Sequence, residues 1–220
     1  MEGKNVFVSV LDILFPPKCV FCRRLLRKGE RDLCPRCRDS LPWTGEGCAQ
    51  APEFMTRCVS PLWYRDEVAE SFHRYKFGGS RGYAEAYGRL MADCVRQHLG
   101  KQWDVITWVP LSARRLAERG YDQAMLLAMA TALELGDVAV ETLRKAQDVQ
   151  AQSGLQDDAQ RRANVLGIYE AVDPELVAEK RVLLVDDVVT TGATLSECAR
   201  TLLQAGAEEV MAVTLARARK

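Results

Sequence analysis

Two patterns in the chain have the residue types and the spacing for chemistry. The first is Val182-Leu183-Leu184-Val185-Asp186-Asp187-Val188-Val189-Thr190-Thr191-Gly192-Ala193-Thr194. Four apolar residues read as a strand buried on both faces of a parallel sheet. Two carboxylates stand where that strand would end, and a Thr/Gly turn leads into an apolar-periodic helix from Leu195 to Leu203. In an open α/β sheet, ligands bind beyond the carboxyl ends of the strands. A helix N-terminus there offers free N–H groups and a positive dipole end to a phosphate. One loop therefore sets a phosphate cradle beside paired acids. The second pattern is Cys19-Val20-Phe21-Cys22 and, after eleven intervening residues, Cys34-Pro35-Arg36-Cys37. Two C-x-x-C knuckles supply the four thiolates of a tetrahedral zinc site, structural rather than catalytic because sulfur fills every position. The competing readings are four incidental cysteines or a redox-active pair. A segment so short and so poor in apolar residues needs the metal to stay folded.

Cys48 and Cys58 stand singly, so a second metal site lacks its ligand set, and they read as free or partly buried thiols. Pro42, Gly45, Gly47, Pro52 and Pro61 mark the surrounding stretch as irregular linker and place a boundary near residue 60. The hydrophobic content of 48% and charged content of 27% are those of a globular protein. Lys+Arg and Asp+Glu both number 30, which argues against a generally basic nucleic-acid coat while leaving local patches open. No apolar run approaches a membrane span, and Val6 to Phe15 contains Asp12 and lacks a cleavage pattern. The expected location is the cytoplasm, where eight cysteines serve as metal ligands and buried thiols rather than disulfides.

The elements that must position these residues follow from period and punctuation. Val59 to Tyr64 reads as a short first strand, and Asp66 as the cap of a helix running to about Tyr75. Lys76-Phe77-Gly78-Gly79 breaks that helix; a lysine beside two glycines is a weak phosphate signal, and a solvated helix end accounts for it equally. His73 on this helix reads as a surface or core histidine. Tyr83, Tyr87, Leu90, Met91, Cys94 and Val95 form the stripe of an amphipathic helix and read as core. Trp103 to Pro110 is a second buried strand, followed by a turning segment with Arg114, Arg115 and Arg119. Arginine suits bidentate contact with phosphate or pyrophosphate, against the alternative of an exposed basic face. Met125 to Leu135 continues as a helix, Val138 to Leu143 as a third strand, Asp157 to Ala163 as a short helix and Leu166 to Val172 as a further strand. The polar stretch from Arg144 to Gly154 has the character of an active-site lid.

This set meets the needs of a site that cleaves a ribose 1-pyrophosphate. Thr190, Thr191, Gly192, Ala193 and Thr194 suit the 5-phosphate, because small residues allow close backbone approach. Asp186 and Asp187 suit the ribose hydroxyls, with Mg²⁺ bridging ribose and pyrophosphate. Arg119, with Arg114 or Arg115, offers positive charge to the departing pyrophosphate.

Residues 182–194 resemble the signature of type I phosphoribosyltransferases, which bind phosphoribosyl pyrophosphate (PRPP). The whole chain resembles the ComF family, associated with bacterial competence and DNA uptake. The likeness rests on the C-x-x-C pairs, Tyr75-Lys76-Phe77, Val109-Pro110-Leu111-Ser112, Arg119-Gly120-Tyr121-Asp122-Gln123-Ala124, and Gln152, Arg162 and Asn164. It implies an α/β fold: a type I phosphoribosyltransferase-like, mostly parallel sheet flanked by helices, behind a small N-terminal four-cysteine, zinc-ribbon-like module. The division is 1–60 for the zinc module and 61–220 for the transferase-like domain. It further implies PRPP and Mg²⁺ binding, with Lys76 and Arg114 joining Arg119 around the ligand, structural zinc on Cys19, Cys22, Cys34 and Cys37, and no membrane insertion. Two departures stand out: one zinc is expected rather than two, and Arg-Gly-Tyr-Asp-Gln replaces the family's Arg-Gly-Phe-Asn-Gln, placing Asp122 beside the proposed pyrophosphate loop. Transferase action on an unnamed acceptor, PRPP sensing without turnover, and a single-stranded-DNA-binding role alongside the competence machinery all stay open.

Overall fold

A computed structural model describes residues 16–146 and 167–218. The sequence-based expectations for Gln152, Arg162, Asn164 and the helix at 157–163 lie outside the described residues. The strands are β1 (Ala49–Gln50), β2 (Arg57–Val59), β3 (Leu62–Trp63), β4 (Val105–Trp108), β5 (Leu143–Lys145), β6 (Tyr169–Ala171), β7 (Arg181–Val189) and β8 (Glu209–Arg217). The helices are α1 (Pro35–Ser40), α2 (Asp66–Phe77), α3 (Tyr83–His98), α4 (Ala113–Arg119), α5 (Gln123–Leu135) and α6 (Ala193–Gln204).

The main sheet runs β1-β2-β8-β7-β4, with β3 also on β8, and only the β1–β2 pairing is antiparallel. The apolar runs of β7 and β8 are continuous because both faces of these strands are covered. Leu183, Val185, Met211, Val213 and Leu215 point into one core with α2, α3 and α5. Val182, Leu184, Val210 and Ala212 point into a second core with Leu195, Cys198, Ala199 and Leu202 of α6. Strand alternation thus sorts each apolar run between two layers of helices. Helices α3 and α5 pack closely, since a Cβ on Gly88 would lie 2.6 Å from the Ala130 side chain.

Several boundaries differ from the sequence reading; the strand expected over Val59 to Tyr64, for one, is split by Pro61 into β2 and β3. β7 continues through Asp186 and Asp187 to Val189, paired with β8 along that length, so the acids sit within the last part of the strand rather than beyond it. Val138 to Leu143 does not form a third strand of the sheet. Ala139 makes a single parallel bridge to Ile106, and β5 begins only at Leu143, paired antiparallel with β6 in a separate two-stranded sheet. Val138 is 71% exposed, whereas Thr142 and Leu143 at the far end of the stretch are buried, so only its last residue joins a strand. Finally, the arginine segment is not a simple turn: Ser112 caps α4 by accepting from Arg115 N, and Gly120 ends it at φ 73°.

Candidate functional site

The cysteine pairs converge. The sulfurs of Cys19, Cys22, Cys34 and Cys37 all lie within 4.8 Å of one another, and Cys22 and Cys34 are 3.6 Å apart. Four sulfurs each about 2.3 Å from a tetrahedral zinc lie about 3.8 Å apart, so this donor set fits the metal. It is the one such cluster among the described residues. Burial pushes the Cys37 thiol up, and the sulfurs of Cys22 and Cys19 push it further, so four crowded thiols gain most from a cation that holds them as thiolates. Cys48 and Cys58 are buried free thiols, the latter raised by burial to about 12.

The module docks on α2 and α3. Ser71 Oγ donates to Val20 O at 2.5 Å, Arg74 donates to the carbonyls of Val20 and Phe21, and Arg89 pairs bidentately with Asp32 at 2.6 Å. The Ser71 and Arg74 contacts hold the first knuckle on α2, whose last turn carries Lys76, while Arg89 of α3 holds Asp32. Helix α2 runs on to Phe77, past the expected stop at Tyr75, and this brings Lys76 into the cleft.

The cleft lies over the carboxyl ends of β4 and β7 and has a volume of about 200 Å³. Asp186 and Asp187 line it with Val109, Pro110, Leu111, Lys76, Arg115, Arg119, Gln123, Lys145, Tyr169 and Thr194. Lys76 Nζ sits 2.8 Å from Asp187 Oδ2. Asp187 N donates to Asp186 Oδ1 at 2.7 Å. Burial pushes the Asp186 carboxyl well above the usual carboxylate range; the charge of Asp187 adds to this, and Lys76 offsets part of it. Arg119 donates to Gln123 Oε1 at 2.7 Å and stacks on Phe77 at 5.2 Å.

The loop opposite is set by Asp122. Its carboxylate accepts from Leu111 N and from Met125 N, both at 3.0 Å, so it caps α5 and pins the loop after β4. That side chain is 7% exposed, and burial raises its carboxyl. Asp122 therefore serves the backbone of the loop rather than facing a ligand. Tyr121 donates to Tyr75 O and Tyr75 to Gln123 O, which ties α2 to the start of α5 behind the cleft.

The remaining expected residues are divided. Gly192 begins α6 at φ 82°, a conformation that favours glycine, and Thr191 Oγ1 accepts from Ala193 N at 3.3 Å. Thr194 faces the cleft, whereas Thr190 and Thr191 line a separate cavity. Arg114 points away, 3.7 Å from Glu118 on the exposed face of α4, while Arg115 and Arg119 line the cleft. Lys145 and Tyr169, in contact at 5.6 Å, carry no signal in the sequence that marks them for the site. They reach the cleft through the β5–β6 hairpin, a non-local pairing that period alone does not reveal.

Residues 81–220 match the phosphoribosyl transferase domain family, and residues 10–60 match the double zinc ribbon domain family. The chain is 34% identical over 209 residues to the DNA utilization protein YhgH of Salmonella typhimurium, covering 90% of this chain and 89% of that one. It is 29% identical over 223 residues to Competence protein F of Haemophilus influenzae, covering 91% and 97%. It is 28% identical over 212 residues to Competence protein ComFC of Streptococcus pneumoniae, covering 88% and 91%. Among the described residues no helix is long and apolar enough to cross a membrane.

Proposed function

Because the chain belongs to the phosphoribosyl transferase domain family, we propose that it binds PRPP with Mg²⁺ in the β4–β7 cleft and serves DNA uptake, like the relatives named for competence and DNA utilization. The observation that carries this reading is one cleft in which two carboxylates face Lys76, Arg115, Arg119 and Lys145. A ligand with a diol at one end and a polyphosphate at the other matches that division of charge. Asp186 and Asp187 take the ribose hydroxyls, and the N-terminus of α6 with Thr194 takes the 5-phosphate. Arg115 and Arg119 take the pyrophosphate. Mg²⁺, when bound, neutralises pyrophosphate oxygens, and the two acids are the residues suited to hold it. Lys76, 2.8 Å from Asp187, would position that carboxylate and offer its charge to phosphate in the same cleft. Transfer of the ribosyl group to an acceptor completes the enzymatic form of the reading.

The N-terminal module, residues 1–60, holds structural zinc in this reading and supports the transferase-like domain, residues 61–220. Eight cysteines without a disulfide, four of them on the metal, suit the reducing cytoplasm. A second reading has its own observation. Lys18, Arg23, Arg24, Arg27, Lys28, Arg31, Arg36 and Arg38 are all exposed on the module. None of them forms an ion pair among the described residues. In a chain of zero net charge, that concentration of unpaired cations suits the backbone of single-stranded DNA.

The deciding experiment is a thermal shift with PRPP and Mg²⁺ on the zinc-loaded protein, repeated on the Asp186→Asn, Asp187→Asn double variant. Stabilisation of the first and none of the second supports PRPP binding; no stabilisation of the first removes it. Pyrophosphate release across a panel of nucleobase and amine acceptors then separates an enzyme from a sensor.

A further inference from the structure

Helix α4 carries Arg114, Arg115 and Arg119 but contains no buried residue, so core packing does not set where its side chains point. Phe77 raises the complementary question. It is 62% exposed, a large aromatic ring beside a charged cleft with no core to join. The two meet: the Arg119 guanidinium lies over the Phe77 ring at 5.2 Å, within the range of a cation–π contact. His73 packs against the same ring at 4.9 Å and steadies it. Phe77 follows directly on Lys76 in the last turn of α2, so that turn reaches both Asp187 and Arg119.

Gln123 holds the other side of Arg119. Its Oε1 accepts from Arg119 Nη1 at 2.7 Å, and its Nε2 donates to Tyr121 O at 3.4 Å, which settles the end of the amide that turns to the arginine. The Gln123 carbonyl accepts from the hydroxyl of the fully buried Tyr75 at 2.9 Å. Gln123 is itself buried, so the acceptor is rigid. It is also neutral. An amide oxygen holds a guanidinium without cancelling its charge, whereas a carboxylate would pair with it. Arg119 is half-buried, lines the cleft and makes no ion pair among the described residues. With several N–H donors in a planar fork, it can give one to Gln123 and turn others to an anion.

We propose that Gln123 and Phe77 are positioning residues that clamp Arg119 for the pyrophosphate end of the ligand. Gln123 takes an edge of the guanidinium and Phe77 takes its face, so the remaining donors are held in the cleft before any ligand arrives. A cation ordered in advance loses less freedom on binding. The proposal rests on the reading of the cleft as a PRPP site and adds to it what aims the pyrophosphate arm.

Isothermal titration of the full-length, zinc-loaded protein tests it, with inorganic pyrophosphate, PRPP and ribose 5-phosphate as probes, each with Mg²⁺. Gln123→Met is expected to weaken pyrophosphate and PRPP binding about tenfold, the scale of one charge-assisted contact. Phe77→Ala is expected to weaken both about threefold, the scale of an exposed cation–π contact. Ribose 5-phosphate has no pyrophosphate and should keep its affinity within about twofold in both variants, a split that a merely structural role would not give. In an Arg119→Ala background, neither substitution should weaken pyrophosphate binding further, because both act through Arg119. If Gln123→Met fails to give a native circular dichroism spectrum, Phe77→Ala, which alters an exposed ring, carries the test. Three results overturn the proposal: unchanged pyrophosphate and PRPP binding in the single variants, an equal loss for ribose 5-phosphate, or an undiminished further loss in the Arg119→Ala background. If the natural protein binds only one of pyrophosphate and PRPP, that probe decides the clamp. Failure of PRPP alone removes the function proposed above, and failure of both probes removes the clamp as well.

Discussion

The cysteine module and the cleft are ordered in opposite ways. In the cleft the charged and polar groups already answer one another: Lys76 meets Asp187, Arg119 meets Gln123, and Asp122 is spent on two backbone N–H groups. Apolar cores on both faces of β7 and β8 hold these partners in place before any ligand arrives. In the module, four sulfurs turn toward one another with no counter-charge, and the surface cations face solvent. One region is built around four ion-binding sulfurs, and the other is ordered by its own ion pair and hydrogen bonds. The helix Asp66–Phe77 joins the two regions, because Ser71 and Arg74 grip the first knuckle while Lys76, in the last turn, grips Asp187.

The largest effect should follow from removing one sulfur. Cys34→Ser is expected to lose stoichiometric metal and most of the roughly 10 kcal/mol that a structural zinc contributes locally. Limited proteolysis should then cut within residues 16–40, and PRPP affinity should fall as the Lys76 helix loosens. Retention of metal by this variant would erase the contrast between the two regions. Next comes Gly88→Val, which forces α3 away from α5 at Ala130. It should cost about 3 kcal/mol and lower Tm by roughly 6–12 °C while metal content stays unchanged. Metal loss in Gly88→Val would show that the module depends on the helical layer more than on its own ligands.

A smaller effect is expected for Asp187→Asn. It should remove the stabilisation that PRPP and Mg²⁺ give, about 2.7 kcal/mol at a hundredfold excess over Kd, with little change in the unliganded Tm. The smallest effect concerns pH. Burial and the Asp187 charge raise the Asp186 carboxyl in the folded protein. A raised acid holds its proton longer when folded than when unfolded, so its contribution to unliganded stability is present at low pH. That contribution declines as pH climbs from the unfolded value, about 3.9, through the folded one. Mg²⁺-dependent PRPP binding needs the carboxylate and should strengthen over that same rise. Asp186→Asn should flatten both trends, as read by thermal shift across a pH series.

Much of this contrast was legible in the chain. The cysteine spacing states its own geometry, since two knuckles that close together leave few other uses for four thiols. The strand with its acids was legible because both-face burial writes an unbroken apolar run. What stayed hidden depended on helix phase and on distant pairing. Arg114 and Arg115 differ by about 100° around α4, and that helix contains no buried residue to mark which face turns inward. Thr190 and Thr191 part from Thr194 because the loop turns at Gly192, a conformation that residue order does not dictate. Lys145 and Tyr169 reach the cleft only because β5 finds β6 across a stretch of polar residues. The third strand expected at 138–143 is reduced to one bridge at Ala139, and Leu143 pairs instead with the distant Ala171 in a separate sheet.

The position of β8 bears on how the chain is made. It lies between β7 and the early strands β2 and β3, and Ser60 meets Thr214 across a separation of 154 residues. During synthesis at roughly 5–20 residues per second, the early strands wait on the order of ten to thirty seconds for their neighbour. Over that interval their edges and the apolar side chains of Val59 and Leu62 have no cover. The cysteine knuckles, closed by residue 37, need nothing from downstream to take up their ion. A metal-locked segment formed first leaves a shorter free stretch in which those waiting strands can stray, and so shortens the search that β8 must end.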